Sequence, residues 1–166
     1  MAEVNLVSAY NDPETIGILF REYTEMLIEG EPVFQKYLEL QNYEAELTHL
    51  EEKYGMPEVR LYLAYLDGKA VGCVGLRKLQ EGQCECKRLY VRPAFRGKSI
   101  GKQLMSRILQ DAKEIGYREM LLDTLPFLES ALGLYRQIGF REIPAYNDSP
   151  VETTIYMKLD LNEVRL

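Results

Sequence analysis

Apolar positions recur along this chain with two different periods, and the switches between them divide the chain into predicted elements. Near-helical spacing predicts four helices, over about Pro13–Ile28, Val33–Lys53, Ser99–Ile115 and Thr124–Ile138. Alternating positions and short apolar runs predict seven strands, over about Glu3–Ala9, Val59–Leu66, Ala70–Leu79, Cys84–Val91, Met120–Asp123, Phe140–Ile143 and Thr153–Leu159. The order βααβββαβαββ predicts an α/β fold of the α+β type, in which helices pack on one mixed sheet.

The predicted boundaries coincide with residues that start or stop regular structure. Asn11 or Asp12 before Pro13 is a helix-start signature, and Gly116 is typical of a helix end. The pair Asp67-Gly68 between two alternating stretches predicts a β-hairpin. No repeat, low-complexity tract or linker interrupts the series, so we expect a single domain over residues 1–166.

The composition is that of an ordinary soluble protein, with 46% apolar and 28% charged residues. No apolar run approaches the roughly 18 residues that a membrane-spanning helix needs. The N-terminal segment also lacks the basic-then-apolar pattern of a secretion signal. We therefore expect a cytoplasmic protein that has no membrane partner.

Charge is distributed unevenly within the net value of −6. Residues 29–58 contain eight Glu against two Lys, whereas residues 84–120 contain nine Lys or Arg against four acidic residues. Two electrostatically distinct surfaces are one interpretation, and two simply solvated faces are the other. Because the protein is acidic and its basic residues lack interleaved aromatic rings, we expect no nucleic-acid partner.

The three cysteines, Cys73, Cys84 and Cys86, are too few for a disulfide framework. A Cys-x-Cys pair in a strand would place both thiols on one face. Since the chain has a single histidine, His49, a metal site would lack ligands. We expect buried structural thiols and no metal.

The most informative segment runs from Arg92 to Lys102, where a predicted strand leads through a glycine-containing loop into an amphipathic helix. The first turn of a helix has backbone N–H groups without intrahelical partners and a positive dipole end, and a phosphate satisfies both. Gly97 and Gly101 permit close approach of the backbone, and neighbouring cations add positive charge. The segment predicts a site for a nucleotide-type pyrophosphate; a helix start that is merely rich in turn residues is the alternative.

Two familiar phosphate motifs do not match this segment. A Walker loop has four residues between its glycines, whereas three residues separate Gly97 from Gly101. A dinucleotide-binding fold places G-x-G-x-x-G after the first strand of a βαβ unit, which is not the position found here.

Two segments together resemble the signatures of the GNAT superfamily of acyl-CoA-dependent N-acetyltransferases. The run Lys87-Arg88-Leu89-Tyr90-Val91-Arg92-Pro93-x-x-Arg96-Gly97-Lys98-Ser99-Ile100-Gly101 is similar to the family's central strand and coenzyme A loop. The later run Ala131-x-x-Leu134-Tyr135-x-x-x-Gly139-Phe140 is similar to its second signature. The resemblance implies the GNAT fold: a mixed sheet of about six to seven strands, splayed at its centre and flanked by about four helices.

The resemblance also implies the cofactor and its contacts. It implies acetyl-CoA as the acyl donor, bound without metal by Leu89, Tyr90, Val91, Arg96, Gly97, Lys98, Ser99, Ile100, Gly101 and Lys102. Two positions depart from the family pattern. Ser99 replaces the middle glycine of the loop, where it has an N–H, a hydroxyl and a possible capping role. Leu128 stands where relatives often have an asparagine that contacts the pantetheine arm.

Acyl transfer from a thioester needs a neutral amine and a proton for the departing thiolate. The resemblance assigns Tyr135 as the general acid, with a packing role as the alternative. Glu85, on the central strand, is the candidate base; an ion pair with a neighbouring Arg or Lys is its alternative. Simple alternation places Glu85 on one face with Lys87, Leu89 and Val91, unless the bulge common in this family re-aims the strand. Asp123 and Thr124 are placed to face the acceptor, with helix capping as an alternative for Thr124.

The expected reaction is direct attack of a primary amine on acetyl-CoA in a ternary complex. A coenzyme A-binding sensor or interaction domain without turnover is the alternative. The acceptor is a small-molecule or peptide amine, and the acidic stretch with Glu39, Glu44 and Glu46 is one hypothesis for attracting it. Because relatives are often dimers, a homodimer is also expected as one possible state.

Overall fold

The computed structural model describes residues 3–32, 60–149 and 151–164 of the 166-residue chain. Seven strands form one sheet with the order β1-β2-β3-β4-β5-β7-β6. Neighbouring strands are antiparallel except β4 and β5, which are parallel. The strands are β1 (Val4–Ser8), β2 (Arg60–Leu66), β3 (Lys69–Gln80), β4 (Gln83–Val91), β5 (Glu119–Thr124), β6 (Arg141–Ile143) and β7 (Ile155–Asp160).

Three α-helices lie within the described residues: α1 (Pro13–Gly30), α2 (Ile100–Ile115) and α3 (Glu129–Ile138). Asp12 is the N-cap of α1, and its carboxylate accepts a hydrogen bond from the Thr15 amide at 3.1 Å. Gly116 ends α2 with a φ of 108°, a left-handed conformation that glycine adopts without a steric penalty. The predicted helix Val33–Lys53 lies outside the described residues.

Helices cover both faces of the sheet, as the apolar patterns predict. The apolar stripe of α2, which includes Ile100, Leu104 and Ile108, is fully buried against β2, β3 and β4. Residues of α3 belong to the same core cluster as this stripe. On the other face, Ile16, Leu19 and other α1 residues form a second cluster with residues of β2, β3 and β4. The α/β prediction and the mixed seven-stranded sheet are therefore confirmed.

The sheet opens at its centre, between the two parallel strands. Pairing of β4 with β5 extends only from Gln83 to Glu85, opposite Glu119 to Leu121. Beyond this point no described residue of β4 pairs with β5, so the strands diverge and leave backbone groups of β4 without a ladder partner on that side. The predicted splay is confirmed.

A bulge in β4 changes which side chains face each helix layer. Arg88 has a φ of 59°, and the register of β4 against β3 shifts at this point. Before the bulge, Cys84 and Cys86 belong to the α2 core; after it, Tyr90 belongs to the α1 core and Leu89 packs against the α2 core. Simple alternation was therefore wrong for Leu89 and Val91, and the bulged alternative is correct.

The predicted start of the last helix was also wrong. The helix begins at Glu129 rather than Thr124, because the segment between them forms a turn in which the Leu128 amide donates to the Leu125 carbonyl at 3.0 Å. Leu128 itself has φ −82° and ψ 62°, which is not helical. The turn leaves the Phe127 ring beside the opening between β4 and β5.

Candidate active site

A cavity of about 520 Å³ lies where β4 and β5 diverge. Its walls come from the end of β4, the loop that follows it, the first turn of α2, the turn before α3, and α3 itself. Of the ten residues predicted to bind coenzyme A, the cavity is lined by Leu89, Tyr90, Val91, Arg96, Gly97, Ser99, Ile100, Gly101 and Lys102. Lys98 is exposed beside it and does not line it.

The loop before α2 and the first turn of α2, which together we call the cradle, line the cavity, and the pyrophosphate site there stays a prediction. Gly97 and Ser99 both have left-handed backbone conformations, with φ values of 83° and 60°. Ser99 occupies the N-cap position, but its side chain makes no capping hydrogen bond. The capping role considered for Ser99 is therefore limited to its backbone, whose carbonyl accepts from the Gln103 amide at 3.1 Å. The first-turn N–H groups at the cavity remain available for an anion.

Two of the basic residues in the cradle contribute in different ways. Arg96 donates through Nε to the Val91 carbonyl at 3.0 Å and lies 3.3 Å from the Met26 sulfur, so it connects the loop to both β4 and α1. Lys102 lines the cavity from the first turn of α2. Its positive charge adds to that of Arg96 at this end of the cavity.

Tyr135 lies at the inner wall of the cavity, on α3. The residue is 6% exposed, and its ring makes an edge contact with Phe140 at 5.7 Å between centroids. Within the described part of the chain, its hydroxyl has no hydrogen-bond partner. Burial raises the pKa of Tyr135 well above its usual value, and the nearby Cys86, Tyr23 and Asp123 act in the same direction. The phenol therefore keeps its proton at neutral pH.

The residues of α1 that line the cavity carried no sequence signature. Tyr23 and Met26 lie one turn apart on this helix and face the opening. The Tyr23 ring makes an edge contact with Tyr90 at 5.9 Å. Burial raises the pKa of Tyr23, while Arg88 lowers it and Asp123 raises it further. The only available signal was their i, i+3 spacing next to the buried stripe of α1.

The turn before α3 closes one edge of the cavity. Leu128 lines the wall at the position where an asparagine was expected from the family pattern, and it offers an apolar surface there. The Phe127 ring also lines the cavity and sits directly against Gly30 at the end of α1. A Cβ atom at position 30 would lie 2.4 Å from the ring, so any other residue there would require the Phe127 side chain to move.

Glu85 lies outside the cavity, in a buried polar cluster. It is 3% exposed, and Oε1 is 3.1 Å from Nε of Arg77, an ion-pair distance without hydrogen-bond alignment, and 4.0 Å from Nζ of Lys87. The Tyr146 hydroxyl donates to Oε2 at 2.6 Å. The structure thus provides the ion pairs of the alternative interpretation, while the assignment of Glu85 as base stays a prediction.

Asp123 and Thr124 end β5 at the opening, as expected. Thr124 is buried and lines the main cavity, and it does not cap α3, whose N-cap is Leu128. Both residues also line a second, much smaller cavity of about 20 Å³. Asn147, in the loop between β6 and β7, donates through Nδ2 to Oδ2 of Asp123 at 2.8 Å.

The three cysteines are buried, as the composition predicts. Burial raises the pKa of the Cys86 thiol to about 12, with a further contribution from Glu85. None is a reactive thiolate at neutral pH. Within residues 3–32, 60–149 and 151–164, no cluster of potential metal ligands occurs, and no helix is long and apolar enough to cross a membrane. His49, Glu39, Glu44 and Glu46 lie outside the described residues.

Comparison with known proteins agrees with this architecture. A sequence model of the Acetyltransferase (GNAT) family matches residues 20–140. An uncharacterised N-acetyltransferase of Schizosaccharomyces pombe is 34% identical over 162 residues, covering 96% of this chain and 95% of its own length.

Two solved structures have the same fold. A GNAT acetyltransferase of Staphylococcus aureus aligns with a TM-score of 0.74 at 20% identity, over 96% of this chain and 99% of the other. The PaiA N-acetyltransferase of Thermoplasma acidophilum, solved in complex with coenzyme A, aligns with a TM-score of 0.71 at 19% identity, over 96% and 99%. With both sequence signatures at the opened centre of the sheet, the chain belongs to the GNAT family of acyl-CoA-dependent N-acetyltransferases.

Proposed function

We propose that this protein transfers an acetyl group from acetyl-CoA to a primary amine by direct attack in a ternary complex. The observation that carries the proposal is the cavity at the splay, which joins an uncapped helix start to a protonated tyrosine. The complex of the Thermoplasma relative with coenzyme A supports the choice of donor. No cysteine has the environment of a nucleophile, which favours direct transfer over an acyl-enzyme.

The cavity fits the donor at both of its ends. The first-turn amides of α2, with Arg96 and Lys102, would hold the pyrophosphate. The β4 backbone from Leu89 to Val91 would hold the pantetheine amides, because β5 does not pair with it there. Leu128 would pack against the arm rather than hydrogen-bond to it.

The bond changes require one proton to be delivered and one to be released. Acetyl-CoA supplies a thioester whose C–S bond breaks as the amine nitrogen forms the new C–N bond. In this proposal Tyr135, which lines the cavity, donates its proton to the departing sulfur and recovers a proton that the nitrogen gives up. Starting from an ammonium, the balance is one amide, one free thiol and one proton released to solvent.

The experiment that tests the donor site is calorimetric titration with acetyl-CoA and coenzyme A. A Cβ at Gly101 makes only ordinary contacts, at 3.7 Å to Leu134 and 3.8 Å to Val91, so Gly101→Glu can place a carboxylate in the cradle without a backbone clash. Gly133→Glu is the matched control, because Gly133 lies on α3 with open space around its Cβ and does not line the cavity.

We expect wild type and Gly133→Glu to bind and Gly101→Glu to lose binding. Absence of binding by wild type would contradict the donor assignment. Binding without acetylation of any amine in a broad panel would instead favour the alternative of a coenzyme A sensor.

A further inference from the structure

The smaller cavity, which we call the amine niche, adjoins the main cavity at the opening between β4 and β5. The two cavities share three wall residues, Tyr23, Thr124 and Leu128. The rest of the niche is formed by Leu27 and Leu125 on its apolar side and by Asp123, Ser149 and Thr154 on its polar side. Asp123 is the one charged residue among the described residues that line it.

The carboxylate of Asp123 is held by a chain of hydrogen bonds from the loop between β6 and β7. The Tyr156 hydroxyl donates to Oδ1 of Asn147 at 2.9 Å, and Nδ2 of Asn147 donates to Oδ2 of Asp123 at 2.8 Å. Such a chain fixes the side-chain orientation before any ligand arrives.

The charge of Asp123 acts on two phenols that line the main cavity. Burial is the main cause of the raised pKa values of Tyr135 and Tyr23, and the Asp123 carboxylate raises both further. Asp123 lies at the end of β5, at the same opening of the sheet where Tyr135 lines the main cavity. Glu85, by contrast, lines neither cavity.

The size of the niche restricts what enters it. A volume of about 20 Å³ is enough for roughly one water-sized group. It is far below the volume of a branched substituent. An –NH₃⁺ or –NH₂ group has this size, and a carboxylate beside hydroxyl groups complements it.

Resting on the proposed function, we propose that the niche binds the amino group of the acceptor, with Asp123 as its anchoring carboxylate and Asn147 as the positioning residue. The acceptor is thereby a primary amine on an unbranched carbon, with its nitrogen at the wall that the niche shares with the main cavity. Secondary and quaternary amines are excluded by volume rather than by charge.

The test uses two probes of equal charge, n-propylammonium and propyltrimethylammonium, titrated into the full chain with and without saturating coenzyme A. Binding is followed by two-dimensional ¹H–¹⁵N NMR. We expect saturable binding of n-propylammonium only, with a shift of the Asn147 side-chain amide resonance. Asp123→Asn should weaken this binding by about ten-fold or more, the value of a charge-assisted hydrogen bond.

Asp148→Asn is the matched control, because Asp148 is an exposed carboxylate in the same loop that lines neither cavity. It should bind the probe like wild type. Equal binding of both probes, no saturable binding by wild type, or loss of binding in Asp148→Asn instead of Asp123→Asn would overturn the proposal. The Asn147 resonance in wild type decides the matter even if Asp123→Asn fails to fold.

The same samples separate this proposal from the donor assignment. If coenzyme A binds and the primary amine does not, the niche proposal fails and the donor site stands. If coenzyme A does not bind, the proposed function fails, and the amine titration without coenzyme still reports on the niche.

Discussion

Arg92 donates two hydrogen bonds to Glu22, from Nε to Oε1 at 3.0 Å and from the terminal guanidinium nitrogen to Oε2 at 2.7 Å, across 70 residues of sequence. Arg92 also donates to the Ala70 carbonyl at 2.9 Å. One guanidinium therefore fixes α1 against the strand that leads into the coenzyme cradle. Since Tyr23 and Met26 of α1 line the cavity, this pair connects one wall of the cavity to the end of β4.

The pair makes stability depend on pH in a definite direction. Hydrogen bonds from Arg92 lower the pKa of Glu22 below its usual 4.5, against the opposing effect of burial. A lowered folded-state pKa contributes stability above the unfolded value and loses it as pH falls through the folded value. We expect Glu22→Gln to lower the free energy of unfolding by about 1 kcal/mol at pH 7, because the pair is partly exposed.

Urea unfolding measured from pH 7 down to pH 3 tests this prediction. The difference in free energy of unfolding between wild type and Glu22→Gln should narrow below pH 4.5, where wild type loses the ion pair. The control is Glu25→Gln, an exposed substitution on the same helix. Its free energy of unfolding should change with pH in the same way as that of wild type. A gap that is constant over the whole range would rule out the ion pair as its source.

Ser99 combines a functional position with an unfavourable backbone conformation. Its φ of 60° is the left-handed region in which a non-glycine residue costs about 1–2 kcal/mol. We expect Ser99→Gly to raise stability slightly or leave it unchanged, since the relief of strain exceeds the added entropy of the unfolded chain by at most about 1 kcal/mol. Coenzyme affinity should not fall, because the backbone N–H remains.

The matched comparison is Ser106→Gly, the same substitution at an exposed position inside α2. Glycine in a helix interior should cost about 0.5–1 kcal/mol. The two variants should therefore shift the unfolding temperature in opposite directions or by clearly different amounts. Equal destabilisation of both would mean that the left-handed conformation at residue 99 carries no strain.

Local patterns predicted the strands and the strand–loop–helix segment leading into α2 well, because each depended on residues close in sequence. The turn at Asp67-Gly68, the buried stripe beginning at Ile100 and the end at Gly116 all agree with the structure. The late start of α3 was missed, since the turn around Pro126 has the same residue types as a helix start.

The acceptor side was less predictable because its geometry depends on contacts distant in sequence. The bulge at Arg88 changes which face of the sheet the following β4 side chains occupy. Only the folded sheet shows on which face Glu85, before the bulge, lies relative to them. The interaction of Asn147 with Asp123 joins residues 24 apart, and no periodicity indicates it. Tyr23 lines the cavity because α1 packs beside it, and α1 carries no family signature from which this could be predicted.

Tyr135→Phe separates the chemical role of the hydroxyl from the packing of its ring. The ring contact with Phe140 is retained, and no described residue loses a hydrogen bond to the hydroxyl. We expect the turnover number with an accepted amine to fall by about a hundred-fold or more, the usual size of a general-acid contribution. Coenzyme affinity and the unfolding temperature should stay near wild type.

Steady-state kinetics with calorimetry checks this expectation. Tyr65→Phe removes a hydroxyl that bonds to Asp12, away from the cavity, and should leave turnover unchanged. Unchanged turnover in Tyr135→Phe would remove the tyrosine from the mechanism and leave it a packing residue. A rise in coenzyme dissociation constant without a fall in turnover would assign the hydroxyl to donor binding.

Glu85 is either a structural carboxylate or the catalytic base, and one set of variants distinguishes the two roles. As a structural carboxylate it balances the buried Lys87 and accepts from Tyr146, so Glu85→Gln should lower the free energy of unfolding by about 2 kcal/mol or more. Tyr146→Phe should cost about 1 kcal/mol, and the double variant less than the sum because both substitutions act on the same hydrogen bond. As a base, Glu85 would instead control turnover over the acidic limb of the pH–rate profile, with little loss of stability. A large fall in turnover for Glu85→Gln, without destabilisation or coupling to Tyr146, would assign Glu85 the role of base rather than that of a structural carboxylate.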